Sequence, residues 1–219
     1  MAIVYPAELR PTKLELLAGW LPGRPWYRAA GAADIRRVAA YRFDDPAGEV
    51  GIETLLVRAG AGPLLQVPLT YRGAPLDGAD NWLVGTTEHS VLGRRWVYDA
   101  CGDPVYATVL AHTIFTGARQ AQEFVEIDGS RHRRETTVSV RGSGTPASNV
   151  PAVNAVVRVD DNDPTAMVTD SVGLLVARVL DDPGGPGSSG WTGDPEALTL
   201  TGTWPGQATA SLLAAARPH

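Results

Sequence analysis

The chain has 219 residues, 44% of them hydrophobic and 20% charged, with a formal net charge of −5. That length buries one good core or two small ones and excludes overall disorder, while the negative balance and the lack of a sustained basic stripe argue against a nucleic-acid partner. A single cysteine, Cys101, excludes an intrachain disulfide and a cysteine-based zinc cage and suits a reducing compartment.

The first sixteen-residue stretch with clear local signals, TKLELLAGWLPGRPWY from Thr12 to Tyr27, predicts a short helix. Thr12 followed three residues later by Glu15 fits a capping box, in which each side chain satisfies a backbone N–H that the first turn leaves unpaired. Leu14, Leu17 and Leu21 line one face, widened by Leu16 and Trp20, and Pro22 ends the helix because it lacks a donor. Ahead of it, MAIVYPAELRP shows no basic start followed by an apolar core, and no run of about 18 apolar residues occurs anywhere. The expectation is a cytoplasmic protein without a membrane partner.

Three extended runs follow, at 36–44, 50–58 and 63–71, joined by Asp45-Pro46-Ala47-Gly48 and by Gly60-Ala61-Gly62. They predict an antiparallel meander with one face on the first helix. Pro68 suggests that the third run is an edge strand or carries a bulge. A second helix is signalled by Asp103 as N-cap, Pro104 at its first position, the apolar set Val105 to Phe115, and Gly117 as its stop. Residues 122–127 and 134–141 flank Asp128-Gly129 as a hairpin, with a loop longer than two residues. Arg131, His132, Arg133 and Arg134 then read as its solvated rim.

The segment GSGTPASNVP, 142–151, reads as a flexible connection, which divides the chain into residues 1–141 and a β-rich extension, 142–219, packed on the first part. The extension is acidic, with 8 Asp and Glu against 3 Arg from residue 143 onward. Strands are expected at 152–159, 166–180 and 197–203, with a Gly-, Pro- and Ser-rich loop at 181–195. The fold class expected is α+β: a curved antiparallel sheet packed on one or two helices, with a C-terminal all-β extension.

Two motifs carry a family resemblance. The W-L-P of Trp20-Leu21-Pro22 followed by Trp26-Tyr27, and the later run T-x-E-H-x-V-L-G-x-R-W-V-Y-D from Thr86 to Asp99, resemble the N-terminal cap domain of actinobacterial maltokinases over about residues 10–125. Pro25 stands where those proteins typically carry Arg before the Trp-Tyr pair. A composition of 18 arginines to one lysine, with abundant Ala, Gly and Pro, agrees with such a source. The resemblance implies a stand-alone, non-catalytic accessory protein of maltose, trehalose or α-glucan metabolism, with a glucan- or trehalose-pathway enzyme or a saccharide as partner.

The chemistry motifs point the same way. No phosphate-cradling G-x-x-x-x-G-K-[ST] occurs, and none of the four histidines opens an H-x-D segment, so kinase motifs are absent. Glu88, His89 and Cys101 form an alternative enzyme centre, but neighbours in a strand point to opposite faces and no third orienting group is identifiable, so no catalytic residue is assigned. Asp160, Asp161 and Asp163 lack the spacing of a calcium loop and read as a hairpin turn, leaving no metal and no cofactor assigned. The candidate binding residues are Trp26, Tyr27, Trp191 and Trp204, whose aromatic faces could stack on sugar rings, together with His89, Arg94, Arg95 and Trp96 of the second motif. A further alternative is a small-molecule cavity between the sheet and the 104–116 helix.

Overall fold

The computed structural model describes residues 2–4, 8–28, 34–127, 130–181, 196–207 and 209–219. The fold is α+β, as expected. Helix α1, Lys13–Trp20, begins with the predicted capping box: Thr12 Oγ1 accepts from Glu15 N, and Glu15 Oε2 accepts from Thr12 N at 2.7 Å. A 3-10 turn, Leu21–Gly23, follows at Pro22. Helix α2, Pro104–Thr116, is capped by Asp103, whose carboxylate accepts from Val105 N, and stops at Gly117 with φ of 67°.

The predicted meander is β3 (Ile35–Phe43), β4 (Gly51–Ala59) and β5 (Leu64–Arg72), preceded by the short strands β1 (Ala2–Val4) and β2 (Leu9–Arg10). With β6 (Leu83–His89) and β7 (Gly93–Asp99) it forms a six-stranded antiparallel sheet in the order β2-β6-β7-β5-β4-β3. The expectation that Pro68 marks an edge or a bulge is corrected, because β5 is an interior strand paired in unbroken register with β4. On its other side, Gln66 N donates to Arg178 O while β7 joins only from Leu69. With a two-residue period, Pro68 turns its missing donor the same way as Gln66, into the gap between these two partners.

Strands β8 (Glu123–Ile127) and β9 (Ser130–Arg133) make the predicted hairpin, but Ile127 pairs with Ser130, so only residues 128 and 129 separate them, and these lie outside the described residues. β1 adds to β8 in parallel. The second arm therefore begins at Ser130, earlier than the expected 134.

A second six-stranded antiparallel sheet contains β10 (Ser139–Gly142), β11 (Val156–Asp160), β12 (Thr165–Thr169), β13 (Val172–Val176), β14 (Leu198–Thr203) and β15 (Ser211–Pro218), in the order β10-β14-β15-β13-β12-β11. The run expected as one strand over 166–180 is broken by a turn at Asp170-Ser171, where Thr169 Oγ1 accepts from Ser171 N and Val172 N. β15, for which the pattern gave no strand, pairs with both β13 and β14.

Helix α2 is apolar nearly all round and buries Tyr106, Leu110, Ile114 and Phe115. This is the pattern of a helix covered on both sides. One core joins it to Tyr41, Phe43 and Ile52 of the first sheet and to Val140, Leu174, Leu200 and Leu213 of the second. A separate cluster on the other face of the first sheet unites Leu17 and Trp20 of α1 with Leu55, Val57, Val67 and Val97. The layers thus run α1, first sheet, α2, second sheet.

The glycine-rich segment after β10 follows a close approach. Gly142 N donates to Ala118 O, Gly144 N to Ile114 O and Thr145 N to Phe115 O, so the segment satisfies carbonyls at the end of α2. A Cβ on Gly144 would stand 1.9 Å from Phe115 O. Its glycines serve contact with the helix rather than flexibility. Among the described residues no helix is long and apolar enough to cross a membrane.

Candidate functional site

The β6–β7 hairpin carries the second sequence motif. Glu88 opposes Arg94 across the ladder, and its Oε1 accepts from Arg94 Nε at 2.7 Å, directed away from His89 as strand alternation requires. The turn between them, Ser90-Val91-Leu92, is held from inside: His89 Nδ1 accepts from Val91 N at 3.2 Å and Leu92 N at 3.1 Å, and Arg95 Nη2 donates to Leu92 O at 2.7 Å. Ser90 exchanges two hydrogen bonds with the Glu8 backbone beside β2. Burial, aided by the charges of Arg95 and Lys13, lowers the His89 pKa and favours the neutral ring that can accept. The result is an ordered tip that leaves Val91 56% and Leu92 44% exposed. Arg94 is exposed beside them, with Arg95 and Trp96 half-buried.

The first motif is used differently. Trp26 is only 2% exposed, with its Nε1 donating to Asp161 Oδ1 at 2.8 Å, the Arg178 guanidinium 4.8 Å from its ring centroid, and Trp20 against it edge-on at 5.9 Å. No ring face is left for a sugar. Tyr27 is half-buried beside it. Trp204, 7% exposed, belongs to the core around α2. Trp191 lies outside the described residues. The eight sequence-selected residues are therefore not one surface: His89, Arg94, Arg95 and Trp96 share the hairpin, while Trp26 and Trp204 are internal.

The turn of three aspartates joins the two halves of the chain. Asp161 receives Trp26 and Arg24, and Asp163 Oδ1 accepts from Arg178 N at 2.9 Å. Arg178, fully buried, donates from Nε to Thr165 Oγ1 and from Nη2 to Asp99 Oδ2, each at 2.7 Å. Cys101 sits nearby, fully buried, and burial pushes its thiol pKa well above the usual value although Arg178 opposes this. A thiol so held is protonated and unreactive at neutral pH. Among the described residues no group of three or more His, Cys, Asp or Glu side chains is placed to hold a metal ion.

Sequence reasoning missed two polar features inside the fold. Arg178 is the first, and its only signal is an arginine within the apolar run Val176-Ala177-Arg178-Val179. The second is Glu53, 3% exposed on β4, which binds the Lys13 ammonium, Arg42 Nη2 at 2.9 Å and the Tyr71 hydroxyl at 3.0 Å. Burial alone would raise the Glu53 carboxyl, but Lys13 and Arg42 outweigh it and hold its pKa at about 2. Burial lowers the Lys13 pKa, Glu53 opposes this, and Arg42 and Arg37 push it further down.

The space between the first sheet and α2 is lined by the core side chains named above. A groove of about 1100 Å³ lies beside the start of α1, lined among others by Leu9, Thr12, Lys13, Leu14, Arg37 and Leu55.

The fold defines an α+β module. Residues 20–103 match the family model of the maltokinase N-terminal cap domain, so this part of the chain is similar to that domain. The match spans fewer than half of the residues and takes in Trp20 through Asp103, including both motifs. No curated protein matches the chain.

Proposed function

We propose that the chain is a non-catalytic, cap-like accessory protein of maltose, trehalose or α-glucan metabolism in an actinobacterial cytoplasm, acting by docking on an enzyme of that metabolism. The cap-domain match supports the metabolic setting. The observation that carries docking is the β6–β7 tip, where internal hydrogen bonds fix a turn that exposes two adjacent aliphatic side chains. A rigid apolar tip loses little conformational freedom on binding and releases water from Val91 and Leu92. Residues 142–219 act in this reading as an integral support, because one core links them to the matched segment.

The test is sedimentation of the purified chain with purified maltose-, trehalose- and glucan-pathway enzymes. A complex with one of them that Val91→Ser/Leu92→Ser abolishes, without a change in melting midpoint, supports the reading. Retention of the complex in that variant, or no complex with any of these enzymes, rejects it. The groove beside α1 favours a second reading, small-molecule binding.

A further inference from the structure

We propose that the groove beside α1 is a binding site for a phosphate group, free or as an organic monoester, with Arg37 and Lys13 as its cationic anchors. This inference stands independently of enzyme docking.

The argument is one of charge pairing. Three carboxylates lie in or under the groove, and each is engaged. Glu8 receives Arg10 Nη2 at 3.1 Å, Glu15 is turned back on Thr12 N in the capping box, and buried Glu53 is shared between Lys13 and Arg42. One carboxylate therefore serves two cations, and the side chain of Arg37, exposed on β3 and lining the same groove, has no hydrogen bond or ion pair among the described residues. Arg37 also lies close enough to Lys13 to disfavour its ammonium form. Two neighbouring cations with less than one carboxylate each are an attractive field for an anion.

Phosphate suits this arrangement because it carries up to two negative charges and several acceptor oxygens, enough for a guanidinium fork and an ammonium together. The helix N-terminus already has two of its backbone donors, Thr12 N and Glu15 N, engaged in the capping box. Leu9, Leu14 and Leu55 supply apolar wall for the organic body of an ester. The site is thus built from β2, β3 and β4, which belong to one sheet, and from α1, which packs on that sheet.

The experiment is a titration of the full chain, at constant ionic strength, with inorganic phosphate in one arm and glucose 1-phosphate in the other, followed by amide NMR shifts. Saturable shifts are expected at residues 9–15, 37 and 55. Binding should weaken about tenfold or more in Arg37→Gln, the loss of a charge-assisted contact, and stay unchanged in Arg36→Gln, the adjacent exposed arginine. Saturation by both ligands identifies a phosphate site, and tighter binding of the ester adds the apolar wall to recognition. Non-saturable shifts, shifts confined elsewhere, or equal affinity in Arg37→Gln would overturn the proposal.

Discussion

Arg178 and Asp99 meet at 2.7 Å in a position where both side chains are fully excluded from solvent. Asp99 ends β7 in the first sheet and Arg178 follows β13 in the second, so the pair ties together elements almost eighty residues apart in sequence. Its value lies less in net attraction than in what removal of one partner leaves behind.

Replacing Arg178 with Met strands the Asp99 carboxylate inside the protein. The expected loss is about 3–5 kcal/mol of unfolding free energy, read from urea denaturation. The double variant Arg178→Met/Asp99→Leu should recover much of that loss. A single variant within about 1 kcal/mol of wild type would show that the pair is not isolated from water.

Glu53 gives the fold an acid-sensitive element. Its folded pKa, about 2, lies below its ordinary value of 4.5, so its stabilisation is present above about pH 4.5 and is lost as pH falls towards 2. A shift of this size corresponds to roughly 3 kcal/mol. Melting midpoints measured from pH 6 to pH 2 should fall across that window in wild type, and fall less in Glu53→Gln, which starts lower at neutral pH.

The hairpin tip should respond to protonation of His89. Its pKa is lowered, so the neutral acceptor form persists to below the ordinary value of 6.5 and gives way only at a lower pH. Once both ring nitrogens carry protons, Nδ1 can no longer accept from Val91 N and Leu92 N. The amide resonances of Val91 and Leu92 should titrate together with the imidazole, at a midpoint below 6.5. Amide shifts that ignore the ring titration would remove His89 from its role in ordering the tip.

Gly144→Ala probes the seam between α2 and the second sheet. An added methyl group would collide with the Phe115 carbonyl, where the backbone has little room to yield. We expect a loss of about 2 kcal/mol or more in chemical denaturation. Gly206→Ala would not serve as its control, since Gly206 has φ of 85°; Gly19→Ala, on the exposed face of α1 with open space around it, should leave stability unchanged or raise it.

Local signals were legible where a residue's role is set by its immediate neighbours. The capping box at Thr12 and Glu15, the Asp103-Pro104 start and Gly117 stop of α2, and the three meander strands all rest on contacts within a few residues. The same is true of the hairpin at 160–165, whose turn residues announce themselves. Both motifs that carried the family resemblance also fall inside the matched segment.

Features defined by distant partners were not legible. Ser211-Leu212-Leu213-Ala214-Ala215-Ala216 is rich in good helix formers, yet it is a strand, because β13 and β14 offer it a complete ladder and its alanines fit the crowded interior. Trp26 looked available for stacking on a sugar, and only the aspartate turn more than 130 residues away shows why its ring is enclosed.

The sequence by itself determined the elements, their caps and turns, and the cap-like motifs, since these depend on backbone chemistry and short-range periodicity. Only the tertiary structure decided which charged residues are buried together. Arg178 with Asp99, and Glu53 with Lys13 and Arg42, acquire their meaning from desolvation and pairing across the sheets, which no local pattern records. The same holds for the groove at Arg37: an arginine on a strand is ordinary, and it becomes a site only because folding leaves it beside Lys13 without a carboxylate of its own.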